Sequence, residues 1–403
     1  MNIREISPKH SLPRLTILMD VPSPYRTHFF NFLTKCLAEQ DLELEVLFMA
    51  ETVPIRHWGL DKSKLKFKYV VFGGFHFHVG QSSFHLNLGI VWSILRSPPK
   101  WLLVGGSWNI PTVILCLLMR RLVGGTSPTI MWSEANFRSS SKRNFLVNKI
   151  RRWLLSGVDA FAVPGEVAAQ TIFDHWYIPH KPILHLPNLV DEILFKEKVS
   201  ALRIIKGELR KEMGFSNNDL LFLWPARLHE KTKGLLNFLS AIAESVTENV
   251  KIMIAGEGED RRQIESWIKE ASLCKNITLL GQKSEQDMLS LYAIADGFLL
   301  PSLKDPNPLS VIEALWAGLP ILISINCGNY IEAVDEEING WVIDPANRNV
   351  MRTAFDKLIN LTSDERKLFG IRSTQIAELQ FATQVNVQRF VSELRNKFDH
   401  GNL

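Results

Sequence analysis

Apolar positions along the chain come in short continuous runs that alternate with helix-spaced stripes, the pattern of strands feeding helices. Residues 15–19 form an apolar run of strand length, and Phe29, Phe30, Leu33, Cys36 and Leu37 follow at helical spacing. Residues 42–49 alternate Leu42, Leu44, Val46 and Phe48, which predicts the next strand. Further strands are expected at 69–72, 101–104, 129–132, 159–163 and 183–186, with helices ending near Leu95, running from about Pro111 to Leu122, and spanning about 165–175. The second half repeats the scheme, with strands at 220–224, 250–255, 277–280, 298–300 and 319–324. Helices are expected between them at 233–247, 259–272, 284–295 and from Pro308, and a striped tail at 348–398 ends in a long helix. Runs apolar on both faces indicate parallel strands covered by helices. The fold class that follows is α/β, with two doubly wound Rossmann-like domains facing across a cleft at the carboxyl ends of their strands.

A chain of 403 residues can hold two domains of about 150 to 200 residues each. A net charge of +4 suits an anionic substrate or a membrane surface and is too weak to argue for nucleic acid. Cys36, Cys116, Cys274 and Cys327 are far apart, which reads as free thiols in a reducing compartment. Charges and prolines in residues 1–14 occupy the place of the apolar core a signal peptide needs, so a cytoplasmic location is expected.

Residues 101–119 carry no charge, about the length of a membrane span, but Gly105, Gly106, Ser107, Asn109 and Pro111 interrupt them. A buried strand followed by a buried helix is the simpler reading. His76 and His78 share one face of an extended segment. No third ligand is apparent in the sequence, so no metal site is expected there. Between residues 135 and 158 stand Arg138, Lys142, Arg143, Lys149, Arg151 and Arg152 with no acid, interleaved with Leu146, Ile150, Trp153 and Leu154. Two readings stay open: a basic amphipathic surface at 138–153 resting on anionic lipid at the inner face of the plasma membrane, or a helix whose stripe packs on the sheet.

The densest chemistry lies at 298–324, FLLPSLKDPNPLSVIEALWAGLPILIS. Asn307 suits an N-cap and Pro308 the first helical position, so a helix is expected from Pro308, with Val311, Ile312, Leu315 and Trp316 as its apolar stripe. Glu313 falls in its second turn and Asp305 in the loop ahead. The unpaired amides at such a helix start favour a phosphate, and carboxylates beside it suit sugar hydroxyls. Taken singly, each acid is equally at home as a solvated charge. Arg227 follows the strand at 220–224, and Lys233 with Gly234 comes six residues later, where an Arg fork and a Lys point charge could clamp a diphosphate. Lys231 competes with Lys233 for that part.

Asp305, seven intervening residues and Glu313, followed by Ala-Leu-Trp-Ala-Gly-Leu-Pro, resemble the signature of the family-4 retaining glycosyltransferases, which have the GT-B fold. The family usually has Glu where Asp305 stands. The resemblance implies that Arg227 and Lys233 grip a donor diphosphate, Glu313 holds the ribose and Asp305 the donor sugar. Gly256, Gln282, Lys283, Asn307, Pro308, Leu309 and Ser310 are then donor-binding candidates. Tyr25, Arg26 and Glu134 are cleft candidates by position; a histidine the family often has at the end of the strand at 129–132 is replaced here by Ser133 and Glu134. Pro187, Asn188 and Asp191 match the family's crossing between domains. This gives residues 1–192 as an acceptor-side domain, 193–378 as a nucleotide-sugar domain and 379–403 as a helix crossing back. The function so implied is transfer of a sugar from a nucleotide-diphosphate donor to a glycan or lipid-linked hydroxyl with retention, without metal or other cofactor, in surface polysaccharide synthesis. A non-catalytic sugar-nucleotide-binding relative and a sugar-nucleotide epimerase are the rivals.

Overall fold

A computed structural model of the protein describes residues 12–53, 62–79, 82–123, 127–139 and 144–399. Strands β1 (Arg14–Met19), β2 (Glu43–Phe48) and β3 (Lys68–Val71) run to one side of the first sheet. After a hairpin of β4 (Phe75–Val79) and β5 (Ser82–Leu86), the chain crosses back to add β6 (Trp101–Val104), β7 (Thr129–Trp132), β8 (Ala160–Val163) and β9 (Ile183–His185). The sheet order β3-β2-β1-β6-β7-β8-β9 is parallel throughout. Helices cover both faces, so Leu15, Ile17 and Leu18 on neighbouring positions of β1 are all fully buried.

The second sheet is built likewise from β10 (Leu220–Pro225), β11 (Val250–Ala255), β12 (Ile277–Gly281), β13 (Gly297–Leu300), β14 (Ile321–Ser324) and β15 (Gly340–Ile343). Its order is β12-β11-β10-β13-β14-β15, again parallel. Strand order reverses between β1 and β6 in one sheet and between β10 and β13 in the other. Each reversal splays the flanking loops apart and opens a crevice beyond the carboxyl ends of the strands.

The chain passes from one sheet to the other through the helix Glu192–Ile204, which packs on the helix Glu285–Ile294 of the second lobe. It returns at its far end. The single long final helix expected from the stripe is two helices, Ser363–Phe381 and Thr383–Phe398, broken at Ala382, whose ψ is 126°. Glu192 causes the break locally: its carboxylate accepts from the Thr383 amide at 2.9 Å and the Thr383 hydroxyl at 2.6 Å. Thr383–Phe398 then packs against Pro24–Ala38 of the first lobe.

Among the described residues no helix is long and apolar enough to cross a membrane; residues 101–119 divide between β6 and the helix Pro111–Val123. The basic segment folds as the helix Phe145–Leu155, but its apolar stripe does not pack on the sheet. Leu146, Ile150 and Trp153 are 63%, 49% and 48% exposed, and Leu154 alone of the stripe is buried. Lys142 and Arg143 lie outside the described residues.

Candidate active site

The candidate donor residues gather at the carboxyl edge of the second sheet because their strands are neighbours: β10 pairs with β11 and β13, and β11 with β12. Arg227 is exposed just beyond β10. Gly256, just past β11, has φ of +152°, and a Cβ there would come 2.0 Å from the Ala226 carbonyl oxygen. Only glycine lets the two loops meet so closely. Backbone bonds lace these loops together: the Ala226 amide donates to Ala255, Leu228 to Glu257, and Gly256 to Gly281. Gln282 and Lys283 follow directly at the end of β12.

Lys233 does not open a helix, as the spacing predicted. It ends the single turn Glu230–Lys233, and Gly234 (φ +61°) breaks the chain before the helix Leu235–Ile242 begins. The Glu230 carboxylate caps that second helix, accepting from the Leu236 and Asn237 amides at 2.8 and 3.1 Å. This kink turns Lys233 toward β13, where its Nζ lies 2.5 Å from Asp305 Oδ2. Of the two competing lysines, Lys233 is the one beside Asp305, and Lys231 is exposed.

The helix at the motif is Leu309–Trp316, one residue later than predicted: Pro308, with ψ of 127°, is its N-cap. Asn307, expected to cap, is buried in the loop before it. The first amides of this helix, from Leu309 and Ser310, have no intrahelical partner. In the loop before them Asn307 Nδ2 is buried without a hydrogen-bond partner among the described residues, and so are Asn188 Oδ1 and Asn329 Oδ1, whose Nδ2 atoms donate to the Asn307 and Pro308 carbonyls. Such atoms are uncommon in folded proteins and mark places where a ligand or water completes the bonding.

Glu313 lies on the same helix and accepts a 2.7 Å hydrogen bond from the buried Tyr292 hydroxyl. Burial pushes its carboxyl above the ordinary glutamate value, the Tyr292 bond opposes that shift, and the charge of Glu285 adds to it. Cys327, in the turn after β14, has its thiol pushed up by burial and by the nearby Asp305 charge.

The two lobes meet over the Asp305 loop. The Asp305 carbonyl accepts from the Gly328 amide at 3.0 Å and from Asn136 Nδ2 of the first lobe at 3.2 Å. Asn136 Nδ2 also donates to the Asn326 carbonyl at 2.9 Å, and Asn188 Nδ2 to the Asn307 carbonyl at 3.3 Å. Below this contact the first lobe holds a cavity of about 570 Å³ at the ends of β1, β6 and β7. Tyr25, Arg26 and Glu134 all line it, so the three cleft candidates stand together. Arg26 is buried, lies 3.7 Å over the Trp132 ring and pairs with Glu134 at 2.5 Å. Burial works against its charge, yet Tyr25, Glu134 and Asp20 hold its pKa above the ordinary value.

Sequence reasoning missed most of this cavity. Asp20, Trp108, Asn109, Asn136, Arg151 and Trp176 line it from five separate segments, with Phe84 of the hairpin and Pro306 of the second lobe at its margins. It also missed that β4 and β5 pair His76 with His85, their Nδ1 atoms 2.8 Å apart, because nothing local announces the partner strand. Among the described residues no cluster of three or more metal-ligating side chains occurs.

Residues 205–375 match the family model described as glycosyl transferases group 1. An uncharacterized glycosyltransferase of Methanocaldococcus jannaschii is 26% identical over 156 residues, which cover 38% of this chain and 40% of that protein. The UDP-Gal:alpha-D-GlcNAc-diphosphoundecaprenol alpha-1,3-galactosyltransferase of Escherichia coli is 28% identical over 273 residues, covering 62% and 66%. The matches thus span 40% and 66% of these relatives' lengths. Among solved structures, a glycosyltransferase from Rickettsia africae superposes with a TM-score of 0.74 at 12% identity, covering 97% of this chain and all of that one. Anabaena Alr3699/HepE in complex with UDP gives 0.72 at 15% identity, covering 96% and 100%. Fold, motif and family model point the same way: residues 205–375 are similar to the glycosyl transferases group 1 family, and the chain has the GT-B fold.

Proposed function

We propose that the protein is a retaining hexosyltransferase that moves a sugar from a nucleotide-diphosphate donor to a glycan or lipid-linked acceptor. Arg227, Lys233 and the free amides of Leu309 and Ser310 take the diphosphate, Glu313 the ribose hydroxyls and Asp305 the donor sugar. Gly256, Gln282 and Lys283 border the base. As the anomeric C–O bond breaks, its electron pair goes to the diphosphate, where these cationic groups and the helix end stabilise the growing charge. The acceptor oxygen, lying in the first-lobe cavity, forms the new bond, and its proton passes to the leaving phosphate. The positive charge comes from side chains and amides, so the reading includes no metal.

The observation that carries this reading is the meeting of Lys233 with Asp305 ahead of a helix start whose leading loop holds the unpartnered Asn307 Nδ2, opposite an aromatic, charged cavity in the other lobe. The E. coli relative is named for a diphosphoundecaprenol-linked sugar acceptor, and a structural neighbour, WaaG, is described as involved in lipopolysaccharide biosynthesis. These support a role in surface polysaccharide synthesis at the cytoplasmic face of the membrane. The exposed Phe145, Leu146, Ile150 and Trp153, with Lys149 and Arg152 on the same helix, support an anionic membrane surface as partner.

A thermal-shift panel of UDP-, GDP- and other nucleotide sugars, followed by steady-state kinetics with the stabilising donor, tests the reading. Arg227→Ala and Glu313→Gln are each expected to lose about ten- to hundredfold in turnover. Near wild-type turnover in both would sink the site assignment. Donor binding without transfer or hydrolysis would favour a non-catalytic relative.

A further inference from the structure

Asn136 stands in a wall shared by the first-lobe cavity and the Asp305 loop, and its whole amide is engaged. Nδ2 donates to the carbonyls of Asp305 and Asn326, and Oδ1 accepts from the Arg138 amide at 2.9 Å. The residue is 2% exposed. An amide bonded on both sides at this depth has one orientation available, and a loop hung from it inherits that orientation. The neighbouring clasps follow the same rule: Asn188 Nδ2 and Ser139 Oγ also seize main-chain oxygens, those of Asn307 and Asn326. Because the first lobe grips the loop by its backbone, the Asp305 carboxylate is left to the donor side, where it meets Lys233.

We propose that Asn136 is a positioning residue: it fixes the Asp305 loop against the cavity, so that donor sugar and acceptor hydroxyl align only when the lobes are latched. This rests on the transferase reading above. Reacting atoms must be held about 3–3.5 Å apart, and a misplacement of about 1 Å costs on the order of a hundredfold in rate. A latch whose two bonds end on the Asp305 and Asn326 carbonyls controls that distance through the backbone of the loop.

Full-length Asn136→Ala and Asn136→Asp provide the test. Hydrogen exchange of residues 301–310 and 324–329 needs no substrate. Asn136→Ala is expected to speed it about tenfold or more there, leaving β10 and β11 unchanged. With the UDP- or GDP-hexose that stabilises the wild-type chain, kcat is expected to fall about ten- to hundredfold while KM for that donor stays within about twofold. Asn136→Asp sets an acceptor against the same two carbonyl oxygens, so it is expected to speed exchange and lower kcat at least as much as Asn136→Ala. A merely structural role would not confine the loss to kcat and to exchange in these two segments. Unchanged exchange with lost turnover overturns the latch and spares the transferase reading. A rise in donor KM matching the fall in kcat overturns the positioning role. Raised exchange in a chain that transfers from no sugar nucleotide overturns the transferase reading.

Discussion

Lys233→Met would leave the Asp305 carboxylate, whose side chain is 11% exposed, stranded beside the Cys327 thiol that its charge already perturbs. Breaking a fully buried ion pair at one partner costs about 3–5 kcal/mol, and an exposed pair is worth about 0–1 kcal/mol. With side-chain exposures of 20% and 11%, the Lys233–Asp305 pair falls between these limits. An expected loss of about 2 kcal/mol follows for Lys233→Met. Asp305→Asn should cost less, about 1 kcal/mol, because the flexible lysine stem can carry its ammonium to water. If the stranded carboxylate is what hurts, the double variant Lys233→Met with Asp305→Asn recovers most of the larger loss, with a coupling of about 1 kcal/mol or more. Urea unfolding of the four proteins measures this through midpoint shifts at constant slope. Titration with UDP and GDP supplies the functional half: Lys233→Met should weaken the diphosphate that binds by about ten- to hundredfold. Asp305→Asn should bind it at least as tightly as wild type, since the lysine is then free for phosphate. Losses that add to within about 0.3 kcal/mol would refute the pairing argument.

The other two expectations concern Glu313 and the exposed helix. Burial raises the Glu313 carboxyl above its ordinary value of 4.5, so the charged carboxylate penalises the fold at neutral pH, and the penalty fades as pH falls through the raised value. Tyr292→Phe removes the bond that opposes this shift, and should cost about 1.5–3 kcal/mol at pH 8 but markedly less as the pH approaches 4.5, read by urea unfolding at both ends; a pH-independent loss would contradict it. Ile150→Glu with Trp153→Glu should reduce co-sedimentation with phosphatidylglycerol-containing vesicles about tenfold or more while leaving UDP or GDP affinity unchanged, and equal sedimentation would exclude this face as the membrane contact.

Element types were legible in the sequence because parallel strands covered on both faces leave unbroken apolar runs, as at residues 15–19 and 298–300. The grouping of Asp305, Asn307, Leu309, Ser310 and Glu313 was legible for a related reason: they belong to one loop and one helix, so spacing in sequence is spacing in space. What spacing could not give was the turn that aims Lys233, since that depends on Gly234 adopting φ of +61° against the loop at Leu303. The cavity of the other lobe was legible only in part. Tyr25 and Arg26 were reachable by their place after β1, whereas Trp108, Asn136 and Trp176 come from segments that only the finished sheet brings together. Asn136 carries no periodic or compositional mark, because its bonds cross from one lobe to the other. The outward turn of Leu146, Ile150 and Trp153 was likewise undecidable from a stripe that fits either face.

The return of Thr383–Phe398 to the helix Pro24–Ala38 has a consequence for how the chain is made. A ribosome releases the residues of the first lobe early, yet Phe390, Val391 and Leu394, all buried in the finished protein, emerge only after the second lobe has been synthesised. Until then the nascent first lobe lacks its last cover, and the two halves cannot mature as independent beads on a string.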